Sequence, residues 1–156
     1  MSNLGNKKTI NLICVGTFGY PCGMADTKRV QHIIDGIKNH PKVSAKVIIL
    51  RQSSKDNVLS GVHHGVPYET VMGDLLRGRL IALLPVFNIK SMLLLKRHYK
   101  PDSKNVIYHY GPPNVINILI LKYAKRIGYK IIFDIVEDYD YTADISKDIY
   151  GVVKFS

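Results

Sequence analysis

The sequence is poor in cysteine. Only Cys14 and Cys22 occur among its 156 residues, too few for a disulfide framework. Cys14 lies in an apolar run and is expected to be a buried apolar side chain, whereas Cys22 lies in a glycine-rich stretch. With no signal peptide recognisable, this cysteine usage predicts a reducing, cytoplasmic setting. Long apolar runs are also lacking, and none is sufficient to cross a bilayer.

Acidic residues are scarce as well. The chain has 12 Asp and Glu against 22 Lys and Arg, a net charge of +10, which favours anionic partners such as phosphorylated substrates, anionic lipid or nucleic acid. Nucleic acid is the least expected, because no stretch interleaves aromatic and basic residues like an RNA-binding motif. His63 and His64 have no further ligands at metal-binding spacing, so a loop role is favoured over a metal site. Neither a metal nor a cofactor is expected in this domain.

What the chain does have is a glycine-rich stretch, residues 16–24, between an apolar run and a segment of helical period. A strand, loop and helix in this order point the free N–H groups of the helix at the loop, where an anion is the natural occupant. The spacing G-x-x-G-x-x-x-G matches neither a dinucleotide-binding motif nor a Walker loop. The alternative that these glycines only permit a tight reversal therefore stays open.

Further apolar runs alternate with helical segments. Strands are expected at Thr9–Val15, Val43–Leu50, Asn105–Tyr110 and Lys130–Val136, with a loop over Arg51–Gly65 and a short edge strand at Gly65–Val71. Helices are expected at Met24–Asn39, Asp74–Leu84, Pro85–Tyr99 and Asn114–Ile127. This alternation predicts a single α/β domain over residues 1–156. Its sheet should be Rossmann-like, doubly wound and mainly parallel, with helices on both faces. The exits at residues 16–23, 108–113 and 134–140 should share one edge, where such sheets bind ligands.

Three of these segments, Gly16–Arg29, Asn105–Pro112 and Lys130–Asp138, together resemble the amino-terminal half of a GT-B glycosyltransferase of the family 4 (group 1) type. The resemblance covers nearly the whole chain, in the right order. It implies an acceptor-side domain, incomplete without a carboxy-terminal donor domain that binds the nucleotide-sugar. Joined to that domain or to a partner chain, it would transfer a sugar to a glycan or lipid-linked acceptor; alone it is expected to be inactive.

The sequence departs from that family after the strand Asn105–Tyr110. Where the family often shows D-V-I-H-x-H, Tyr108 and Tyr110 occupy the matching histidine positions and His109 falls between them. Side chains alternate along a strand, so His109 is expected to point away from both tyrosines. Tyrosine is a poor proton acceptor near neutral pH, and no catalytic residue is assigned.

The expected substrate-binding residues lie at the strand exits and at the start of the first helix: Gly19, Tyr20, Gly23, Arg29, Tyr110 and Glu137. Arg29 is placed to reach a phosphate, and its alternative is a solvated helix face. Glu137 is preferred to Asp138 because adjacent strand residues face opposite ways and Glu137 matches the acidic exit of the family.

Other functions stay open on the sequence. The chain could be a non-catalytic Rossmann-like subunit that positions a partner chain, or a module that binds a phosphate ligand. The basic, apolar segment Leu75–Lys100 is either a sheet-covering helix with a solvated basic face or a contact to an anionic membrane, which would make the protein peripheral at the inner face.

Overall fold

The computed structural model describes residues 9–50, 59–71, 80–111, 113 and 117–135, with the side chains of 80–84 excepted. These residues form six strands and three helices. The strands are β1 (Ile10–Gly16), β2 (Val43–Ile49), β3 (Ser60–His63), β4 (Val66–Thr70), β5 (Lys104–Tyr110) and β6 (Lys130–Asp134). The helices are α1 (Ala25–Ile37), α2 (Leu80–His98) and α3 (Ile118–Arg126).

The six strands form one sheet in the order β3-β4-β2-β1-β5-β6. Every neighbouring pair is parallel except β3 and β4. The prediction of a mainly parallel α/β sheet is therefore confirmed, and the strand order is compatible with a Rossmann-like fold. From β1 the chain adds β2 and β4 on one side, and after α2 it adds β5 and β6 on the other. Open α/β sheets bind their ligands at the carboxyl ends of the strands where the order reverses, and we call this location, between the carboxyl ends of β1 and β5, the crevice.

The buried apolar residues form two clusters that share the strands. Ile13 and Val15 of β1 pack with buried residues of α2 and α3. Leu12 and Cys14 pack with buried residues of α1. Because successive strand residues point to opposite faces, this division explains why the apolar run of β1 is continuous rather than alternating.

The region before β4 differs from the prediction. The expected loop over Arg51–Gly65 contains β3, which pairs with β4 through a two-residue turn. The turn residues His64 and Gly65 have φ of +49° and +79°, the signs that a type I′ hairpin turn requires. The strand was missed because it is short and none of its residues is buried, so no apolar run identifies it.

The position of β4 also corrects the prediction. Gly65–Val71 was expected to hold an edge strand because of Pro67, but β4 lies between β2 and β3. The pairing with β2 uses only Tyr68–Thr70. Pro67 therefore lies just outside the hydrogen-bonded pairing of β4 with β2, and the N–H that proline lacks is not needed there.

Helix α2 is continuous through Pro85, so the prediction that Pro85 opens a separate helix is wrong. An interior proline removes one backbone hydrogen bond, but Phe87, Leu94 and Leu95 of the same helix are buried in the core, and this packing outweighs the local cost. Residues 74–79 of the predicted preceding helix lie outside the described residues. None of the helices in the described ranges has the length and hydrophobicity needed to cross a membrane.

The start of α3 differs from the prediction, whereas its end agrees. Asn117, rather than Asn114, is the N-cap, and residue 114 lies outside the described ranges. The helix ends before Gly128, whose φ is +108°, the conformation expected of a glycine just past a helix.

Glu69 of β4 connects α2 to the sheet. Its carboxylate accepts hydrogen bonds from Lys46 of β2 at 3.1 Å and from Arg97 of α2, and it lies 3.3 Å from His98 Nε2. Burial opposes ionisation of Glu69, yet the hydrogen bonds from Arg97, Lys46 and His98 lower its pKa to about 2. The carboxylate is therefore charged at neutral pH and is compensated by the cations around it.

The two-sided core predicts unequal costs for the same substitution in neighbouring strands. Ile107 of β5 is fully buried, whereas Ile132 of β6 is 52% exposed. We expect Ile107→Ala to lower the free energy of unfolding by about 2–5 kcal/mol, as for other buried isoleucines, and Ile132→Ala to lower it by well under half as much. Urea denaturation of both variants tests this, and equal losses would contradict the described burial.

Candidate functional site

Three strand exits meet at one edge of the sheet, as predicted. β1, β5 and β6 are parallel neighbours, with Val15 opposite His109 and Tyr110 opposite Asp134. The backbone N–H of Gly111 donates to the carbonyl of Asp134 at 2.9 Å. The carboxyl ends of these strands thus surround the crevice at which the winding reverses.

Tyr20 was expected at this crevice, but the structure places it in the core. Its side chain is fully buried, and its hydroxyl donates to Gln31 Oε1 of α1 at 2.6 Å. Its ring lies edge-on to that of Tyr68, with centroids 5.4 Å apart. Burial raises the pKa of Tyr20 to about 12, so the phenol remains protonated and its described role is to hold the loop against α1.

The glycines of the loop are packed against the protein itself. A Cβ on Gly23 would lie 1.9 Å from Thr27 Oγ1 and 2.6 Å from the carbonyl oxygen of Gly19. A Cβ on Gly19 would lie 3.0 Å from the carbonyl oxygen of Cys22. The Thr27 hydroxyl donates to the Gly19 carbonyl and closes the loop onto α1. These contacts favour the tight-reversal interpretation of both glycines.

The amino terminus of α1 already has an acidic neighbour. The backbone N–H of Thr27 donates to Asp26 Oδ1 at 2.6 Å, and Met24, at the N-cap, makes no side-chain capping bond. An intrinsic carboxylate here satisfies one amide and complements the helix dipole. Its negative charge also opposes the binding of a second anion, which weakens the phosphate interpretation of the loop.

Arg29 lies on the crevice side of α1 and contacts β6. Its Nε and one terminal nitrogen donate to the two carboxylate oxygens of Asp134, each at 2.8 Å. The hydroxyl of Tyr108 donates to the same carboxylate. Arg29, expected to reach a phosphate, is thus engaged by a carboxylate in a two-pronged pair of the kind that fixes geometry as well as charge. We call Arg29, Tyr108 and Asp134 the edge cluster.

The edge cluster has fixed protonation at neutral pH. Hydrogen bonds from Arg29, with a further one from Tyr108, lower the pKa of Asp134. Burial, and then the hydrogen bond to Asp134, raise the pKa of Tyr108. The carboxylate therefore remains ionised and the phenol protonated, so the edge cluster is suited to hydrogen bonding rather than to proton transfer.

His109 lies on the opposite face of β5, as its position between two tyrosines predicted. Its ring is buried; Nδ1 donates to the carbonyl of Gly111 at 2.9 Å, and Nε2 accepts from Asn117 Nδ2 at 2.8 Å. Burial lowers its pKa, and both ring nitrogens are used. His109 thus connects the exit of β5 to the start of α3.

Tyr110 and Glu137 are the two remaining predicted site residues. Tyr110 is half-buried at the end of β5, and its ring is edge-on to Phe18 of the loop, with centroids 6.0 Å apart. It therefore lies next to the crevice. Glu137, together with its alternative Asp138, lies outside the described residues. Within the described ranges no three His, Cys, Asp or Glu side chains are grouped to hold a metal ion.

Tyr108 and Asp134 were not among the substrate-binding residues expected from the sequence, although both lie at the predicted strand exits. A signal was present, since Asp134 is an acidic residue inside an otherwise apolar run, and Tyr108 lies two residues before Tyr110, which is opposite Asp134 in the sheet. The pairing with Arg29, 105 residues earlier in the chain, follows only once α1 is placed beside β5 and β6.

Comparison of the chain with protein-family models, with curated proteins and with solved structures found no match. Its function is therefore inferred from the chemistry of the crevice.

The packing of the loop predicts opposite effects for two glycines near α1. Gly23→Ala should lower the free energy of unfolding by about 1–3 kcal/mol, as overpacking does, because Thr27 and Gly19 must move. Gly36→Ala, in α1 with no atom within 4 Å of the added methyl, should raise it by up to about 1 kcal/mol. Thermal denaturation compares them, and a neutral Gly23→Ala would show that the loop is looser than described.

The edge cluster also predicts a pH dependence. Because the folded-state pKa of Asp134 is lowered, its contacts stabilise the fold above the usual carboxyl pKa, and this contribution is lost as the pH falls through the lowered value. Arg29→Gln should raise the pKa of Asp134 towards its usual value of about 3.9. The control is Lys28→Gln, on the neighbouring exposed position of α1. Carboxyl carbon NMR titration measures the pKa, and an unchanged value in Arg29→Gln would refute the pairing.

Proposed function

We propose that the chain is the acceptor-side domain of a GT-B glycosyltransferase, which holds a glycan or lipid-linked acceptor while a donor domain or partner chain supplies the nucleotide-sugar. The observation that carries the proposal is the edge cluster. It combines a carboxylate, a guanidinium and a phenol beside the crevice where open α/β sheets bind ligands.

The chemistry of the edge cluster suits a polyol. A sugar hydroxyl both donates and accepts, so it can donate to the Asp134 carboxylate and accept from Arg29 or Tyr108. Arg29 is 48% exposed and Asp134 is 12% exposed at the side chain, so the pair is accessible from the solvent side. The absence of a titrating group in the edge cluster fits recognition of an acceptor rather than catalysis of the transfer.

The proposal extends to the architecture and location of the domain. The sheet is inferred to be doubly wound with helices on both faces, which is supported by the two core clusters, one joined to α1 and the other to α2 and α3. Transfer requires donor and acceptor in one site, so the chain alone is expected to transfer no sugar. We place the protein in the cytoplasm, peripheral at the inner face of a membrane.

A phosphate-binding module is the less favoured alternative. Two carboxylates, Asp26 and Asp134, lie at the positions where such a module would need positive charge, and Arg29 is already paired. A phosphate would have to displace Asp134 from Arg29 and bind near a second negative charge.

Binding of simple sugars tests the proposal. The probes are methyl glycosides of glucose, galactose and mannose, titrated into the isotope-labelled chain and observed by NMR. At least one glycoside should shift the resonances of Tyr108 and Asp134. Asp134→Asn should weaken the affinity for that glycoside by on the order of tenfold or more, the usual value of a hydrogen bond to a charged group.

The matched control is Asp102→Asn, at an exposed position in the turn after α2, which should leave the affinity unchanged. Strong binding of a nucleotide-sugar or inorganic phosphate at the edge cluster, with no response to any glycoside, would support the phosphate module instead. Sugar transfer by the chain alone would contradict the proposal that a separate donor domain or partner chain must supply the nucleotide-sugar.

A further inference from the structure

An exposed apolar stripe runs along α2. Val86, Ile89 and Leu93 are 45%, 57% and 61% exposed, and their spacing of three and four residues places them on one side of the helix. The buried residues of α2, Phe87, Leu94 and Leu95, lie on its other side, against the core. The stripe is therefore not needed to pack α2 on the sheet.

Basic residues lie beside this stripe. Lys90 and Lys96 are exposed, and neither side chain has an ion-pair or hydrogen-bond partner within the described part of the chain. Arg97, one helical turn beyond Leu93, is 60% exposed although it pairs with Glu69. The exposed side of α2 thus combines apolar side chains with positive charge.

Helix α3 continues the pattern. Leu119 is 49% exposed, and Lys122 and Arg126 follow it at spacings of three and four residues. α2 and α3 contact each other and share one core cluster, so their exposed sides form one surface. Neither helix contains an aspartate or glutamate. We call this surface the α2–α3 face.

A groove at the margin of the α2–α3 face has the same chemistry. It lies between α3 and β6, has a volume of about 500 Å³, and is lined by Lys122, Lys125 and Lys130 together with apolar residues that include Ile131 and Phe133. Apolar and cationic side chains in one groove suit a lipid, which combines acyl chains with a phosphate.

We propose that the α2–α3 face docks peripherally on an anionic lipid bilayer. The stripe of Val86, Ile89 and Leu93 enters the boundary between headgroups and acyl chains, while the lysines contact lipid phosphates. An ordinary solvated helix face would interleave acidic with basic residues, and neither helix of this face contains an acidic residue. Glu69 of β4 lies beside the face, but its charge is compensated by Lys46, Arg97 and His98. A second copy of the chain is disfavoured as the occupant, because a symmetric contact would oppose two basic surfaces. The inference rests on the peripheral location proposed above and names the surface and the lipid chemistry that would provide it, whereas sugar transfer is not needed for it.

Vesicle co-sedimentation tests the docking. The chain is expected to bind vesicles of phosphatidylcholine mixed with phosphatidylglycerol and not vesicles of phosphatidylcholine alone. Binding should fall steeply as salt rises from about 0.1 M to about 1 M, since the Debye length shortens from about 10 Å to about 3 Å.

Two pairs of variants locate the contact. Ile89→Ser with Leu93→Ser should weaken binding by on the order of tenfold or more, whereas Val62→Ser, at a 70% exposed position of β3, should not. Lys122→Gln and Arg126→Gln should each weaken binding by on the order of fivefold, whereas Lys28→Gln of α1 should not. All replaced side chains are exposed, so each variant is expected to fold, and circular dichroism checks this.

Equal binding to neutral and anionic vesicles would overturn the proposal, as would equal losses in the α2–α3 variants and in their controls. Light scattering provides a second readout: if the stripe substitutions convert an oligomer to a monomer while vesicle binding is absent, the stripe is an interface between copies and the proposal is wrong.

Discussion

The fold depends on the burial of β1 on both of its faces. Leu12 and Cys14 are covered from the side of α1, and Ile13 and Val15 from the side of α2 and α3. A strand buried in this way needs neighbours on both edges, and β2 and β5 provide them in parallel register. Since parallel strands share their carboxyl ends, the same constraint brings the loop after β1, the end of β5 and the end of β6 to one place.

Hydrogen bonds between polar side chains join the strands and helices at the two ends of the sheet. At the amino end of the sheet, buried Asn11 donates to Asn105 Oδ1 and to the carbonyl of His98, each at 2.8 Å, which fixes β1, β5 and the end of α2 together. At the carboxyl end, the edge cluster ties α1 to β5 and β6. The first set is enclosed and structural, whereas the second faces solvent through Arg29. Only the second can therefore meet a ligand without unfolding the domain.

The sequence was informative where burial is continuous and less so where contacts are distant. The runs around Val15, Ile48 and Ile107 identified the parallel strands because a two-sided core demands unbroken apolar residues. The continuity of α2 through Pro85 depends on core partners that local pattern does not show, whereas β3 was missed because none of its four residues is buried. In the candidate site, strand alternation correctly placed His109 on the face of β5 opposite Tyr108 and Tyr110, and the role of Tyr110 in binding stays a prediction. Tyr20 was assigned to the crevice only because it is next to glycines. Its hydroxyl instead donates a hydrogen bond to Gln31 in the core.

The central claim is that the Asp134 carboxylate, held by Arg29 and Tyr108, is where an acceptor sugar binds. A crystal structure of the chain with a bound acceptor saccharide measures this most directly. A sugar hydroxyl within hydrogen-bonding distance of Asp134, between the exits of β1 and β5, is the expected result. A saccharide bound elsewhere, with Asp134 still paired only to Arg29 and Tyr108, would show that the edge cluster stabilises the fold and is not a binding site.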